Sequence, residues 1–203
     1  MKSSPGADPI LMKCEHMSCS YGGAPVIENV DISINRGEFI GIVGPSGSGK
    51  TTLLRAMLGS IKPVHGKVER LPGLRLAYVP QLETVDWNFP VTVGEVVGMS
   101  RPQRLMRPKS QNSELALIED VLERLGLGGL LQRHIRELSG GQLKRVALAR
   151  LLAGEWDCLI LDEPTNHLDL DAIGFLEETL ARFPGGLAIV THDRHVLDRV
   201  TNR

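Results

Sequence analysis

A strand, a glycine-rich loop and a helix follow one another without interruption near the start of this chain, and little else can be built around them. Phe39-Ile40-Gly41-Ile42-Val43 is a nearly unbroken apolar run, the pattern of a strand buried on both faces. Gly44-Pro45-Ser46-Gly47-Ser48-Gly49-Lys50-Thr51-Thr52 comes next and fits G-x-x-x-x-G-K-[ST]. Leu53-Leu54-Arg55-Ala56-Met57-Leu58 then reads as a helix that Gly59 closes. The glycines let the backbone curl until successive N–H groups point inward, and the helix N-terminus adds a partial positive charge. Such a nest suits a phosphate chain. Lys50 is placed to reach the β- and γ-phosphates, and the Thr51 hydroxyl to ligate Mg²⁺. The expectation is a nucleoside triphosphate site that uses Mg²⁺.

The remainder of the chain alternates strands and helices. Residues 10–20 have strand character, broken by Tyr21-Gly22-Gly23-Ala24-Pro25. Val30-Asp31-Ile32-Ser33-Ile34 alternates apolar and polar, so a half-buried antiparallel strand is expected, turning at Asn35-Arg36-Gly37. Short strands around His65-Gly66 and a strand over 74–79 follow. Between about residues 82 and 137 the texture becomes helical, with helices over 92–99 and 113–125. In the second, Ile118, Val121, Leu122 and Leu125 share one face and Gly126 stops the helix. Arg101, Arg104, Arg107 and Lys109 between them read as a solvated basic loop. From Leu138 the order is helix to Ala153, strand 158–161, helix 170–183 with Ile173, Leu176, Leu180 and Phe183 inward, strand 187–190, and a helix from Asp193. The pattern gives an α/β fold with a mostly parallel sheet, an antiparallel N-terminal β subdomain and a small inserted helical subdomain.

Composition removes several alternatives. Lys and Arg number 23 against 24 Asp and Glu, so no global charge favours nucleic acid or an anionic membrane, and direct nucleic-acid binding is not expected. Cys14, Cys19 and Cys158 lack metal-ligand spacing and read as free thiols, with Cys14 and Cys19 on opposite sides of one strand. No apolar run approaches the ~20 residues of a membrane-spanning helix, so a membrane role would come through a partner.

Two later segments carry chemistry. Leu159-Ile160-Leu161-Asp162-Glu163-Pro164 is an apolar strand ending in two acids, and ligands of open α/β sheets gather beyond the carboxyl ends of strands. Asp162 suits the Mg²⁺ shell, and Glu163 suits the general base that aligns or deprotonates a water. In Leu138-Ser139-Gly140-Gly141-Gln142, Ser139 and Gln142 fit a capping box, with Ser139 as N-cap. Gly140 and Gly141 keep the first turn bare, so a phosphate can approach its N–H groups.

With this segment the chain resembles the ATP-binding-cassette (ABC) ATPases, whose signature is Leu-Ser-Gly-Gly-Gln. The resemblance covers about residues 10–203 and implies one cassette domain, with 10–81 and 138–203 as α/β core and about 82–137 as helical subdomain. It implies that Ser139, Gly140, Gly141 and Gln142 face the γ-phosphate of ATP held by a second subunit, in a head-to-tail dimer. It also makes Tyr21 the aromatic that stacks on adenine, Gln81 the Q-loop glutamine that senses Mg²⁺ and water, and His192 the switch histidine at the γ-phosphate. Asp169, in Asn166-His167-Leu168-Asp169, resembles the D-loop aspartate, although it also fits the N-cap of the next helix.

Within that family the signals diverge. Residues 85–93, Val-Asp-Trp-Asn-Phe-Pro-Val-Thr-Val, resemble the ATPase subunits of manganese, zinc or iron importers, where this segment meets the membrane permease. Residues 162–169 and 190–194 resemble the F subfamily, which acts on ribosomes through two cassettes joined by a charged linker. One cassette without such a linker or a basic arm favours an importer subunit on the cytoplasmic face of the cell membrane. A cassette ATPase of nucleic-acid maintenance is disfavoured by the neutral charge and the lack of a coiled-coil insertion. The family usually continues beyond the switch histidine, so ending at Thr201-Asn202-Arg203 suggests a truncated chain or a short domain, in which ATP binding is better supported than hydrolysis.

Overall fold

The structure is a computed structural model that describes residues 9–79, 90–100, 111–166 and 168–191, without the side chains of 111–114. These residues form two compact units. The first comprises 9–77, 156–162 and 183–191, and the second 78–79, 90–100, 111–155, 163–166 and 168–182.

The first unit contains two sheets. Strands β1 (Ile10–Cys19), β2 (Ile27–Asn35) and β4 (His65–Arg70) form an antiparallel sheet in the order β2-β1-β4. The second sheet has the order β3-β7-β6-β5, from β3 (Phe39–Ile42), β7 (Gly186–Val190), β6 (Cys158–Asp162) and β5 (Leu76–Val79). β3 and β6 both run parallel to β7. All ten residues of β6 and β7 are buried, as expected for central strands of a parallel sheet. The two sheets come close at Gly186, where a Cβ would lie 2.6 Å from Ile34 Cγ2 and 2.9 Å from Leu11 Cδ1. Helix α1 (Lys50–Met57) packs on β1 and buries Leu54, Ala56 and Met57.

Two expectations for this unit are corrected. β3 is not buried on both faces: it is the sheet's edge among the described strands, and Val43 just beyond it is 65% exposed. Phe39, Ile40 and Ile42 are half-buried and Gly41 is exposed, because face burial depends on what packs above and below a strand and not on its apolar content alone. Nor do Cys14 and Cys19 face opposite ways. Between Cys14 and Met17 β1 advances three residues while β2 advances two, so a β-bulge at His16 reverses the alternation and turns both thiols inward. His16 adopts φ 46° with its N–H donating to Asp31 Oδ1 at 2.9 Å, and Gly66 of β4 (φ 73°) makes room for its carbonyl. All three cysteines are buried free thiols. Burial pushes Cys14 up to about 11 and Cys158 to about 12, so both stay protonated at neutral pH.

The second unit is helical. α2 (Val93–Gly98) and α3 (Gln111–Arg124) pack against α4 (Gly140–Ala153), and α3 also meets α5 (Leu170–Ala181), with Arg124 5.0 Å over the Phe175 ring. α3 buries the expected Ile118, Val121 and Leu122, with Leu125 just beyond, and Gly126 follows at φ 65°. In α5 the inward face is rotated from the expected stripe. Leu176 and Leu180 are buried with Ala172 and Glu177, whereas Ile173 and Phe183 are half-buried. Among the described residues no helix is long and apolar enough to cross a membrane.

Asp157 ties the first unit together just before β6. Its carboxylate accepts from Arg75 Nε at 3.2 Å, Arg75 N at 3.1 Å and Arg36 at 3.3 Å, and its carbonyl accepts from Gly186 N at 3.0 Å. The Arg75 side chain, then its backbone N–H, and then Arg36 hold this carboxyl below the usual carboxylate range. A depressed folded pKa stabilises the fold above the unfolded value near ~3.9, and that contribution disappears as pH falls through the folded value. Asp157→Asn should therefore lower unfolding free energy by about 1–3 kcal/mol at pH 7. In urea denaturation the gap between parent and variant should close below about pH 4.

Candidate nucleotide site

Register across the parallel sheet places the chemistry of the first unit. Ile42, Val190 and Asp162 are side by side on β3, β7 and β6. At ~4.8 Å per strand, Asp162 is about 10 Å across the sheet from Ile42, two residues before Gly44. The phosphate-binding loop and the buried acid, 2% exposed, thus leave one edge of one sheet.

The loop itself is a wrapped nest. Gly47 and Gly49 have φ 81° and 89°, Ser48 N donates to Pro45 O at 3.2 Å, and Leu53 N to Gly49 O at 2.8 Å. Lys50 Nζ donates to Gly44 O and Pro45 O, both at 2.7 Å, which holds the ammonium across the curled loop. Gly49 is the N-cap of α1 and offers no side-chain cap, and the first turn holds no acid, so the N-terminal N–H groups are not claimed by a carboxylate of their own helix. Gly49 is doubly constrained, because a Cβ there would lie 2.5 Å from Ile27 Cγ2 and 3.2 Å from Val26 O. These two β2-side neighbours were not signalled by the loop pattern. Thr51 is half-buried on the first turn of α1, and Thr52 is buried. Tyr21 is 59% exposed, with its hydroxyl 3.4 Å from Thr52 Oγ1, so this aromatic borders the loop.

The donor set is compatible with Mg²⁺. Thr51 offers a hydroxyl and Asp162 a carboxylate, both hard oxygens. Among the described residues no group of three or more His, Cys, Asp or Glu is placed to hold a metal ion.

In the second unit, Ser139 caps α4 in the anticipated box. Gln142 N donates to Ser139 Oγ at 3.3 Å, and Ser139 N to Gln142 Oε1 at 3.0 Å. Ser139 and Gly140 are exposed, and apart from the adjoining residues and the helix's own backbone no heavy atom of the described residues lies within 4 Å of where a Cβ of Gly140 or Gly141 would be. Glu163 is 9% exposed and has φ 48°, the left-handed region that non-glycine residues rarely enter. Asp169 caps α5, its Oδ1 accepting from Ala172 N at 2.9 Å, and it pairs with Arg145 at 2.9 Å. Those partners, the Ala172 N–H foremost, hold its carboxyl below the usual range. Two further basic residues of α4 were not anticipated: Arg145 at Asp169, and Lys144, which is buried and donates to Glu163 O at 2.7 Å. Gln81, His167 and His192, and most of the 85–93 segment, lie outside the described residues.

In the first unit a curled glycine-rich loop follows β3 and a buried acid ends β6, two strands across the same sheet; in the second unit a capped helix begins with two glycines. Residues 27–166 match the ABC transporter family. A zinc import ATP-binding protein, ZnuC, of Paracoccus denitrificans is 42% identical over 198 residues, 95% of this chain and 74% of that protein. The ATP-binding subunit of an ABC transporter has the same fold at 23% identity, with a TM-score of 0.79 over 94% of this chain and 82% of that one. A chain from the complex of an archaeal ribosomal stalk protein with an archaeal ribosome recycling factor is 30% identical, with a TM-score of 0.75, covering 98% of this chain and 37% of that chain. The chain belongs to the ABC transporter family as one of its ATP-binding, ATP-hydrolysing subunits.

Lys50→Ala should reduce binding of a fluorescent ATP analogue at least a hundredfold while leaving the far-ultraviolet dichroism intact. Gly49→Ala should also lose binding, because its methyl would meet Ile27 and its φ of 89° is unsuited to alanine. Parental affinity in either variant would contradict the loop assignment.

Proposed function

We propose that this chain energises uptake of a divalent metal ion, zinc foremost, as one of a pair of ATP-hydrolysing subunits on the cytoplasmic face of a membrane permease. ATP-binding subunits of ABC transporters dimerise and work with membrane permease components. The finer assignments are a homodimer, docking to the permease through the region of Gln81 and the helical subdomain, and zinc as cargo. The zinc assignment rests on the name of the 42% identical relative. The cassette is one domain, with the helical subdomain inserted at about 82–137.

The bare first turn of α4 carries the composite-site proposal. Glycine costs about 1 kcal/mol relative to alanine in a helix. Neither Gly140 nor Gly141 is required by positive φ, nor by a neighbour among the described residues. Two glycines side by side at an exposed, capped helix start are explained by an anion that approaches from outside the chain. In the proposed site, Lys50 and the loop amides hold ATP, with Pro45, Ser46, Ser48 and Thr52 shaping the loop and Tyr21 against the adenine. Ser139, Gly140, Gly141 and Gln142 of a second copy close over the γ-phosphate. Thr51, Asp162 and Gln81 would hold Mg²⁺, which supplies positive charge against the phosphate oxygens. Glu163 takes the proton of the attacking water, His192 steadies the γ-phosphate, and Asp169 lines the interface between copies.

Glu163→Gln tests the base. It should keep ATP-analogue affinity within about twofold, lower turnover at least a hundredfold, and elute as an ATP-dependent dimer in size-exclusion chromatography. Co-purification from membranes tests the setting. A polytopic permease and zinc-stimulated uptake in reconstituted vesicles support the importer. Ribosome-stimulated hydrolysis without an integral partner would instead favour the translation-type reading that residues 162–169 and the ribosome-recycling relative support.

A further inference from the structure

Lys144 sits on the second turn of α4, two residues after the capping Gln142, where a lysine is ordinarily solvated. Instead it is 3% exposed, as buried as the apolar residues around it. An ammonium that leaves water needs strong acceptors, and Lys144 Nζ donates to the main-chain oxygen of Glu163 at 2.7 Å. The same oxygen accepts Asn166 N at a longer 3.4 Å. The lysine is therefore the tighter of these two bonds to that carbonyl.

The residue at the other end of this bond is strained. Glu163 has φ 48°, and a glutamate persists there only when its surroundings fix it. The left-handed backbone sets the direction in which Cβ leaves the chain, and hence where the carboxylate can point. The next residue of α4 reaches the same segment further on, where Arg145 pairs with Asp169. Helix α4 thus holds the 163–169 segment at Glu163 and at Asp169.

We propose that Lys144 is a positioning residue for Glu163. It locks the backbone of the base from the helix whose first turn is Gly140–Gln142, so one helix sets both the γ-phosphate-facing turn and the aim of the carboxylate. The proposal rests on the assignment of Glu163 as base. Lysine supplies both a long apolar stem and a terminal donor, which a methionine of similar length would lack.

The test is steady-state ATP hydrolysis, ATP-analogue affinity and thermal melting of the full chain in five forms: parent, Lys144→Met, Lys144→Arg, Glu163→Gln and Lys144→Met with Glu163→Gln. Lys144→Met should lower kcat about ten- to a hundredfold, the scale of a misplaced catalytic group, with KM and affinity within about twofold. Lys144→Arg should recover much of that loss. The double variant should turn over no more slowly than Glu163→Gln alone, because a positioning residue has nothing left to position. Parental kcat in Lys144→Met, or a further fall in the double variant, would overturn the proposal while leaving the base assignment intact if Glu163→Gln is inactive. Parental turnover in Glu163→Gln would overturn both. If Lys144→Met fails to melt cooperatively, Lys144→Leu and Lys144→Arg decide: a folded arginine variant no better than a folded leucine variant, which has no donor, refutes the role of the donor.

Discussion

Parallel pairing of β3, β7 and β6 is the constraint on which the site depends. Parallel strands cannot be joined by hairpins, so each must be reached through a crossover, and their carboxyl ends then share one edge. Ile42, Val190 and Asp162 form a row at that edge. The glycine-rich loop follows β3, Thr191 follows β7 and Glu163 follows Asp162. Complete burial of β6 and β7 makes the register costly to slip, since a one-residue shift would exchange the two faces of each strand. At the opposite edge, Asp157 with Arg36 and Arg75 secures the sheet by charge. Anchorage and chemistry thus occupy different ends of the same strands.

Features set by local rules were legible in the sequence. The capping box at Ser139 and Gln142 needs only four consecutive residues, and both of its hydrogen bonds are present. Gly47 and Gly49 of the loop adopt positive φ, and the apolar face of α3 is the one its periodicity marks. Features set by partners distant in sequence were not legible. The apolar content of β3 cannot reveal whether a second neighbour pairs with it. The bulge at His16 carries no glycine of its own, and the nearest signals are in other strands, in Asn29 at φ 48° and Gly66 at φ 73°. Strict alternation therefore placed Cys14 and Cys19 on opposite faces. The inward face of α5 depends on α3, and Glu177 is buried where an acid would be assigned to solvent.

Lys144 is the most instructive omission. Composition and helical position both assign it to the surface, and only the structure shows its ammonium bonded to a carbonyl 19 residues away. The one local hint was its place, with Arg145, immediately after a glycine-rich helix start. There the backbone is bare at the first turn and two long cations follow on the second, an order that gives α4 an open end and a gripping end within six residues, 140–145.

The bare turn at Gly140 and Gly141 has a cost that the chain bears alone. Alanine at either place meets no described neighbour and no unfavourable φ, so the sturdier single chain is within one substitution. A nucleotide pressed between two copies would meet those methyl groups on its way to the amides. In the dimer proposed above, robustness of the single chain and closeness of the pair would therefore be opposed at these two positions. Variants selected for heat resistance of the isolated subunit would be expected to drift towards chains that fold better and cooperate worse.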